Sequence, residues 1–128
     1  MNPFRPSVRL AQALDVVLVV VFVLIGRVSH KEDLSLVGIA VTLWPFLVGL
    51  VLGWLVTRSW RAPIRLLWNG VAIWVITVLV AMFLRAITGQ GVELSFVAVA
   101  AGVLAVFLLG WRAIALLITR KGHRATAA

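Results

Sequence analysis

The chain contains no cysteine, two histidines and only four acidic residues among its 128. The missing cysteines exclude a disulfide framework and a thiolate metal site. His30 and His123 each stand alone, so no metal cluster and no Ser–His–Asp relay is spelled out. There is no HExxH, no Walker loop and no CxxC, and no pair of carboxylates shares an apolar run. The chain does not read as an enzyme, and nothing in it calls for a cofactor. Charged residues make up 12% of the sequence, whereas a water-soluble domain of this size carries about a quarter.

What is abundant is apolar. Hydrophobic residues reach 63% and the mean hydropathy is +1.14. No interior of a chain this short can hide that much apolar surface, so the outside of the fold must face lipid. The length fits one domain. The hydropathy pattern places spans at about 10–28, 34–57, 64–84 and 93–118, each near the roughly 20 residues that cross a bilayer. The expected fold is an all-α, four-helix transmembrane bundle. A basic stretch precedes the first apolar run, as in a signal peptide. That run ends Ile25-Gly26-Arg27-Val28-Ser29-His30 without a small-x-small cleavage site, so it reads as a retained span. The tail from Thr119 reads as frayed. No internal repeat and no low-complexity tract is apparent.

The formal net charge of +8 is distributed as membrane topology demands rather than as a nucleic-acid footprint. Arg5 and Arg9 precede span one, Arg58, Arg61 and Arg65 join spans two and three, and Arg120, Lys121 and Arg124 follow span four. The two opposite connections hold Arg27, Lys31 and Arg85, partly balanced by Glu32, Asp33 and Glu93. Both termini are therefore expected in the cytoplasm, in one fixed orientation in the cell membrane. Trp54, Trp60, Trp68 and Trp111 fall near the cytoplasmic interface, while Trp44 and Trp74 lie deeper.

The second span is the expected centre of packing. Ser35, Gly38, Thr42, Pro45, Gly49 and Gly53 recur every three or four residues and share one narrow helical face. Gly49 and Gly53 form a GxxxG pair, a motif that lets another helix approach closely. Pro45, beside Thr42 and Trp44, removes a backbone donor near mid-membrane and suggests a kink, as in the broken helices of transporters and in many ordinary membrane helices.

Two polar groups of residues stand out. Asp15, Asn69 and Arg112 each lie one to two turns inside the cytoplasmic boundary, on spans one, three and four. Asp15 and Arg112 sit on faces that point into the bundle. A lone charge at a span centre costs about 2.5–3.5 kcal/mol on insertion scales, and pairing offsets much of this. The readings are a proton- or substrate-coupling site, a structural ion pair, or an Arg112 that snorkels to lipid phosphates. On the outer side, Arg27, Ser29, His30, Glu32, Asp33, Arg85, Gln90 and Glu93 come from two short loops that a four-helix bundle brings together. They either line one vestibule, with His30 as sensor or ligand, or simply cap and solvate. Ser29-x-x-Glu32 spells a capping box, and Asp33 is placed to cap span two.

The pattern Gly26-Arg27-x-Ser29-His30, Thr42-x-Trp44-Pro45-Phe46, Gly53-Trp54 and Gly110-Trp111-Arg112 resembles a family of small four-span membrane proteins of actinobacteria and haloarchaea, a domain of unknown function. The resemblance runs from about Ala11 to Arg112. It implies a bacterial cytoplasmic-membrane protein and no particular activity. Two functional readings follow: a small transporter- or channel-like protein acting as a homo-oligomer, or an accessory subunit whose GxxxG groove and deep tryptophans meet a partner membrane protein. The lipid bilayer is the shared partner of both.

Overall fold

The computed structural model describes residues 8–57 and 69–127, with side chains as far as Ile118. Arg5, the cluster from Arg58 to Arg65 and Trp68 lie outside the described residues, as do the side chains of Arg120, Lys121, His123 and Arg124. Four helices follow in order: α1 (Val8–Ser29), α2 (Leu36–Thr57), α3 (Val71–Ile87) and α4 (Leu94–Ala127). The tail expected to fray instead continues α4 as one helix of 34 residues. Pro45 is buried within α2, which runs unbroken on either side of it.

α1, α2 and the Leu94–Ile118 part of α4 are long and apolar enough to cross a membrane, and α3 is a shorter apolar helix of 17 residues. A helix keeps every backbone hydrogen bond within itself, the requirement that a lipid environment imposes. The outside agrees. Leu55, Leu79, Phe83 and Val106 are among many large apolar side chains left mostly exposed, a costly arrangement in water at about 25 cal/mol per Å².

Each helix packs on two neighbours, α1 on α2, α2 on α3, α3 on α4 and α4 back on α1. The core is a stack of fully buried side chains, Val19, Phe46, Leu50, Ile73, Leu104 and Leu108, with Phe22 and Phe46 meeting edge to face at 5.2 Å. Of these four contacts among the described residues, the antiparallel α2–α3 contact is the most extensive and α1–α4 the least. The glycine pair explains the first. A Cβ on Gly49 would lie 2.8 Å from the Thr77 carbonyl, and one on Gly53 would lie 3.1 Å from the Ile73 Cα. The groove is thus filled from inside the chain, by α3.

The two hairpins are copies of one plan, which the sequence does not announce. α1 ends at Ser29 and α3 at Ile87, while α2 begins at Leu36 and α4 at Leu94, so a shift of 58 positions carries each boundary onto its counterpart. Burial follows the same shift: Ala11, Asp15, Val19 and Val23 are buried on α1, and so are Asn69, Ile73, Thr77 and Ala81 on or just before α3. Phe46 and Leu50 correspond to Leu104 and Leu108.

The two loops match bond for bond. Glu32 N–H donates to Arg27 O at 2.8 Å and Lys31 N–H to Val28 O at 3.1 Å; Gln90 N–H donates to Arg85 O at 2.9 Å and Gly89 N–H to Ala86 O at 3.4 Å. This is the Schellman pattern that satisfies the last carbonyls of a helix. Its left-handed residue is Gly89 (φ 77°) in one loop and Lys31 (φ 55°) in the other. Ser29 ends α1 and does not begin a capping box. The cap of α2 is Ser35, whose Oγ accepts the Gly38 N–H at 3.0 Å, while Asp33 accepts the Ser35 hydroxyl at 3.3 Å.

Candidate functional site

The loosely packed α1–α4 seam holds polar constructions at both ends. At the end away from the 30–35 and 88–93 loops stands Asp15, with 0% of its surface exposed, facing Arg112 at 1%. Arg112 Nη1 donates to Asp15 Oδ1 and Nη2 to Oδ2, both at 2.7 Å, a bidentate pair. Two indoles complete the set: Trp111 Nε1 donates to Oδ1 at 2.8 Å and Trp54 Nε1 to Oδ2 at 2.9 Å. An ionised carboxylate offers about four acceptor sites, and four N–H groups fill them. Arg112 Nη1 also donates to Leu108 O at 3.0 Å, and its guanidinium carbon lies 4.6 Å from the Trp111 ring centre.

This clamp ties α1, α2 and α4 together. Arg112 is too buried to snorkel. Asn69 is buried just ahead of α3, but the donors that reach Asp15 among the described residues come from Arg112, Trp54 and Trp111. The sequence reading missed both indoles, because a tryptophan near a membrane interface already has an explanation there. The available signal was depth: Trp54 and Trp111 lie at the level of Asp15 on neighbouring helices.

The repeat explains why the clamp exists on one seam only. The shift of 58 maps Gly53 onto Trp111 and Ile73 onto Asp15. Gly53 packs directly on Ile73 in the α2–α3 seam; its counterpart in the α4–α1 seam is the Trp111–Asp15 hydrogen bond. Gly49 likewise maps onto Phe107. Bulky residues at these two positions occupy the room that glycine leaves for a neighbouring backbone.

At the loop end the same seam opens into a cavity of about 460 Å³. Arg27, His30, Glu32, Arg85, Gln90 and Glu93 line its mouth, and Phe22, Phe46 and Ala100 lie deeper. Neither Ser29 nor Asp33 is part of the lining. Each loop arginine is the third residue from the end of its helix and folds over its own loop. Arg27 Nε donates to Asp33 O at 2.7 Å, and Arg85 Nε to Gly91 O at 3.2 Å, six residues on in both cases. Arg27 also donates to Thr42 Oγ1 at 2.8 Å and pairs with Glu32 at 2.9 Å and the Asp33 carboxylate at 2.7 Å. It lies so close over α2 that a Cβ on Gly38 would fall 2.5 Å from Arg27 Nη2. Position 96, the counterpart of Gly38, is Phe96, and Arg85 stacks on its ring at 4.3 Å.

Between clamp and cavity the bundle is apolar. Val19, Leu50, Leu104 and Leu108 close it, and the Thr77 hydroxyl is buried there without a hydrogen-bond partner among the described residues. Trp74 spends its N–H on Ala101 O at 2.9 Å, within the chain. Of the deep tryptophans, Trp44 is the outward one, 38% exposed. No polar path runs from end to end through the described residues.

The family described as Protein of unknown function (DUF3054) matches residues 12–115. The chain belongs to that family. Its DUF3054 region begins just before Asp15 and ends just after Arg112, so it encloses the clamp, the cavity and most of both hairpins. No curated protein and no solved structure is matched.

Proposed function

We propose that the chain is a multi-pass protein of the cell membrane, with both termini in the cytoplasm, that acts as a small carrier and not as an enzyme. The observation that carries this reading is the α1–α4 seam, open as a cavity at the loop end and locked by the Asp15 clamp at the other. A carrier needs a site reachable from one side and a gate toward the other. In this reading the tightly packed α2–α3 seam is the pivot. The two hairpins rock on it, and the clamp opens when substrate in the cavity favours the opened form.

The accessory-subunit reading loses two supports, since the GxxxG groove is filled by α3 and Trp74 is bonded inside the chain. A homo-oligomer is not required to supply the cavity's lining, which comes from one chain.

Substituted-cysteine labelling tests the proposal, aided by the absence of native cysteine. In sealed vesicles, Gly26→Cys, at a half-buried cavity position where a Cβ meets nothing within 4 Å, should react with a charged, impermeant maleimide from the loop side only. Leu108→Cys should stay protected in the parent and become reactive from the terminal side when Asp15→Asn opens the clamp. If Leu108→Cys stays protected in every background, the cavity is a one-sided receptor and the carrier reading falls.

A further inference from the structure

The cavity carries information about what it holds. It is bounded by α1, α2, α4 and the Arg85 end of α3, and it reaches Val99, a lining residue that is itself 60% exposed. It therefore opens sideways as well as toward the loops. Its size falls within the roughly 300–1,000 Å³ of small-molecule sites, and its deeper walls are phenylalanine, valine and alanine. A fully water-soluble ligand would leave both the apolar wall and the side opening unused.

The charges at the mouth divide into committed and free. Arg27 is committed to Asp33, Thr42 and Glu32. Arg85 gives three N–H groups to Gln90 and Gly91, which leaves about two of the five a guanidinium carries. Glu93 has no ion-pair or hydrogen-bond partner for its side chain among the described residues. The mouth thus presents Arg85 with donors to spare and Glu93 with its carboxylate uncommitted among the described residues, beside His30 and a Glu32 that gives one oxygen to Arg27, over an apolar pocket with a lateral opening.

We infer that the cavity takes a zwitterionic amphiphile, an aminophospholipid by chemistry, with its phosphate on Arg85, its ammonium at Glu93 and an acyl chain leaving past Val99. The guanidinium suits a phosphate oxygen pair. A primary ammonium donates hydrogen bonds to Glu93, which a quaternary ammonium cannot. The inference names the substrate class that the carrier reading leaves open and rests on that reading for the cavity being the working site; binding itself does not require transport.

Native mass spectrometry of the purified full chain tests it, with phosphatidylethanolamine, phosphatidylglycerol and phosphatidylcholine of matched chains competing in one micelle. The parent should retain one phosphatidylethanolamine per chain, about tenfold over either competitor. Arg85→Gln should lose retention of all three by about tenfold. Glu93→Gln, at an exposed position, should reverse the preference toward phosphatidylglycerol while leaving the melting temperature unchanged. Equal retention of the three lipids, a preference for phosphatidylglycerol in the parent, or a preference untouched by Glu93→Gln would each overturn the inference. So would equal binding of soluble phosphoethanolamine, which has no chain. Selective retention without lipid movement between leaflets of a proteoliposome supports the inference and removes the carrier reading; movement without selectivity does the reverse.

Discussion

The α2–α3 and α4–α1 seams occupy equivalent places in a repeated hairpin and are built from opposite materials. In the first, Gly49 and Gly53 remove side chains and let α3 lie against bare backbone. In the second, Phe107 and Trp111 stand at the corresponding positions, and the room between the helices is taken by an ion pair at one end and a cavity at the other. Both seams keep the same spacing of buried residues. Closure is decided by two positions per seam, while the burial pattern sets only which faces meet. One plan thereby yields a tight joint and a loose joint in the same molecule.

The comparison breaks most sharply at the clamp. Removing one partner of a buried ion pair strands the other and costs about 3–5 kcal/mol, so Asp15→Asn and Arg112→Met should each lower the thermal midpoint strongly in detergent. The double variant Asp15→Leu/Arg112→Met should recover much of the loss, because a matched apolar pair removes both buried charges. Strict additivity would mean the pair does not act as a unit. The glycine seam comes next. Gly49→Ala must displace the backbone of α3 and should cost about 1–3 kcal/mol. Gly102→Ala on α4, where a Cβ meets nothing within 4 Å, should be neutral or stabilise by about 0.5–1 kcal/mol. Equal costs at the two glycines would remove the distinction between the seams.

The apolar layer between clamp and cavity offers a test of the repeat. Thr77 corresponds to Val19, and its hydroxyl is buried without a partner among the described residues. Thr77→Val should therefore raise stability by about 1–3 kcal/mol in chemical denaturation; a loss would show that the hydroxyl is satisfied. The smallest effect belongs to the loops. Lys31 holds the left-handed conformation that Gly89 holds in the other loop, so Lys31→Gly should gain about 1 kcal/mol by relieving Cβ strain. No gain would mean that Lys31 contributes a contact of its own.

Much of this was legible in the residues. Long apolar runs punctuated by charge at their ends dictate four helices, and a charge within such a run must find a partner, which is why Asp15 and Arg112 could be picked out. The glycine face of α2 was equally plain, although the identity of its occupant was not. The repeat escaped notice because the halves share burial positions and loop bonding rather than residue types: Ala11 stands opposite Asn69, Val19 opposite Thr77 and Gly53 opposite Trp111. The capping box at Ser29 misled for a local reason. α1 continues through that residue and closes with a left-handed Lys31, so the cap of α2 passes to Ser35.

The proposed carrier requires the α4–α1 seam to open while the α2–α3 seam holds. Paired spin labels on exposed positions measure it directly, one pair at Ala13 and Ile114 across the clamp and one at Leu55 and Val75 across the glycine seam. In lipid nanodiscs, Asp15→Asn should lengthen and broaden the distances of the first pair and leave the second unchanged. If both pairs change alike, or the first does not move, the clamp is no gate and the seams do not differ in the way described.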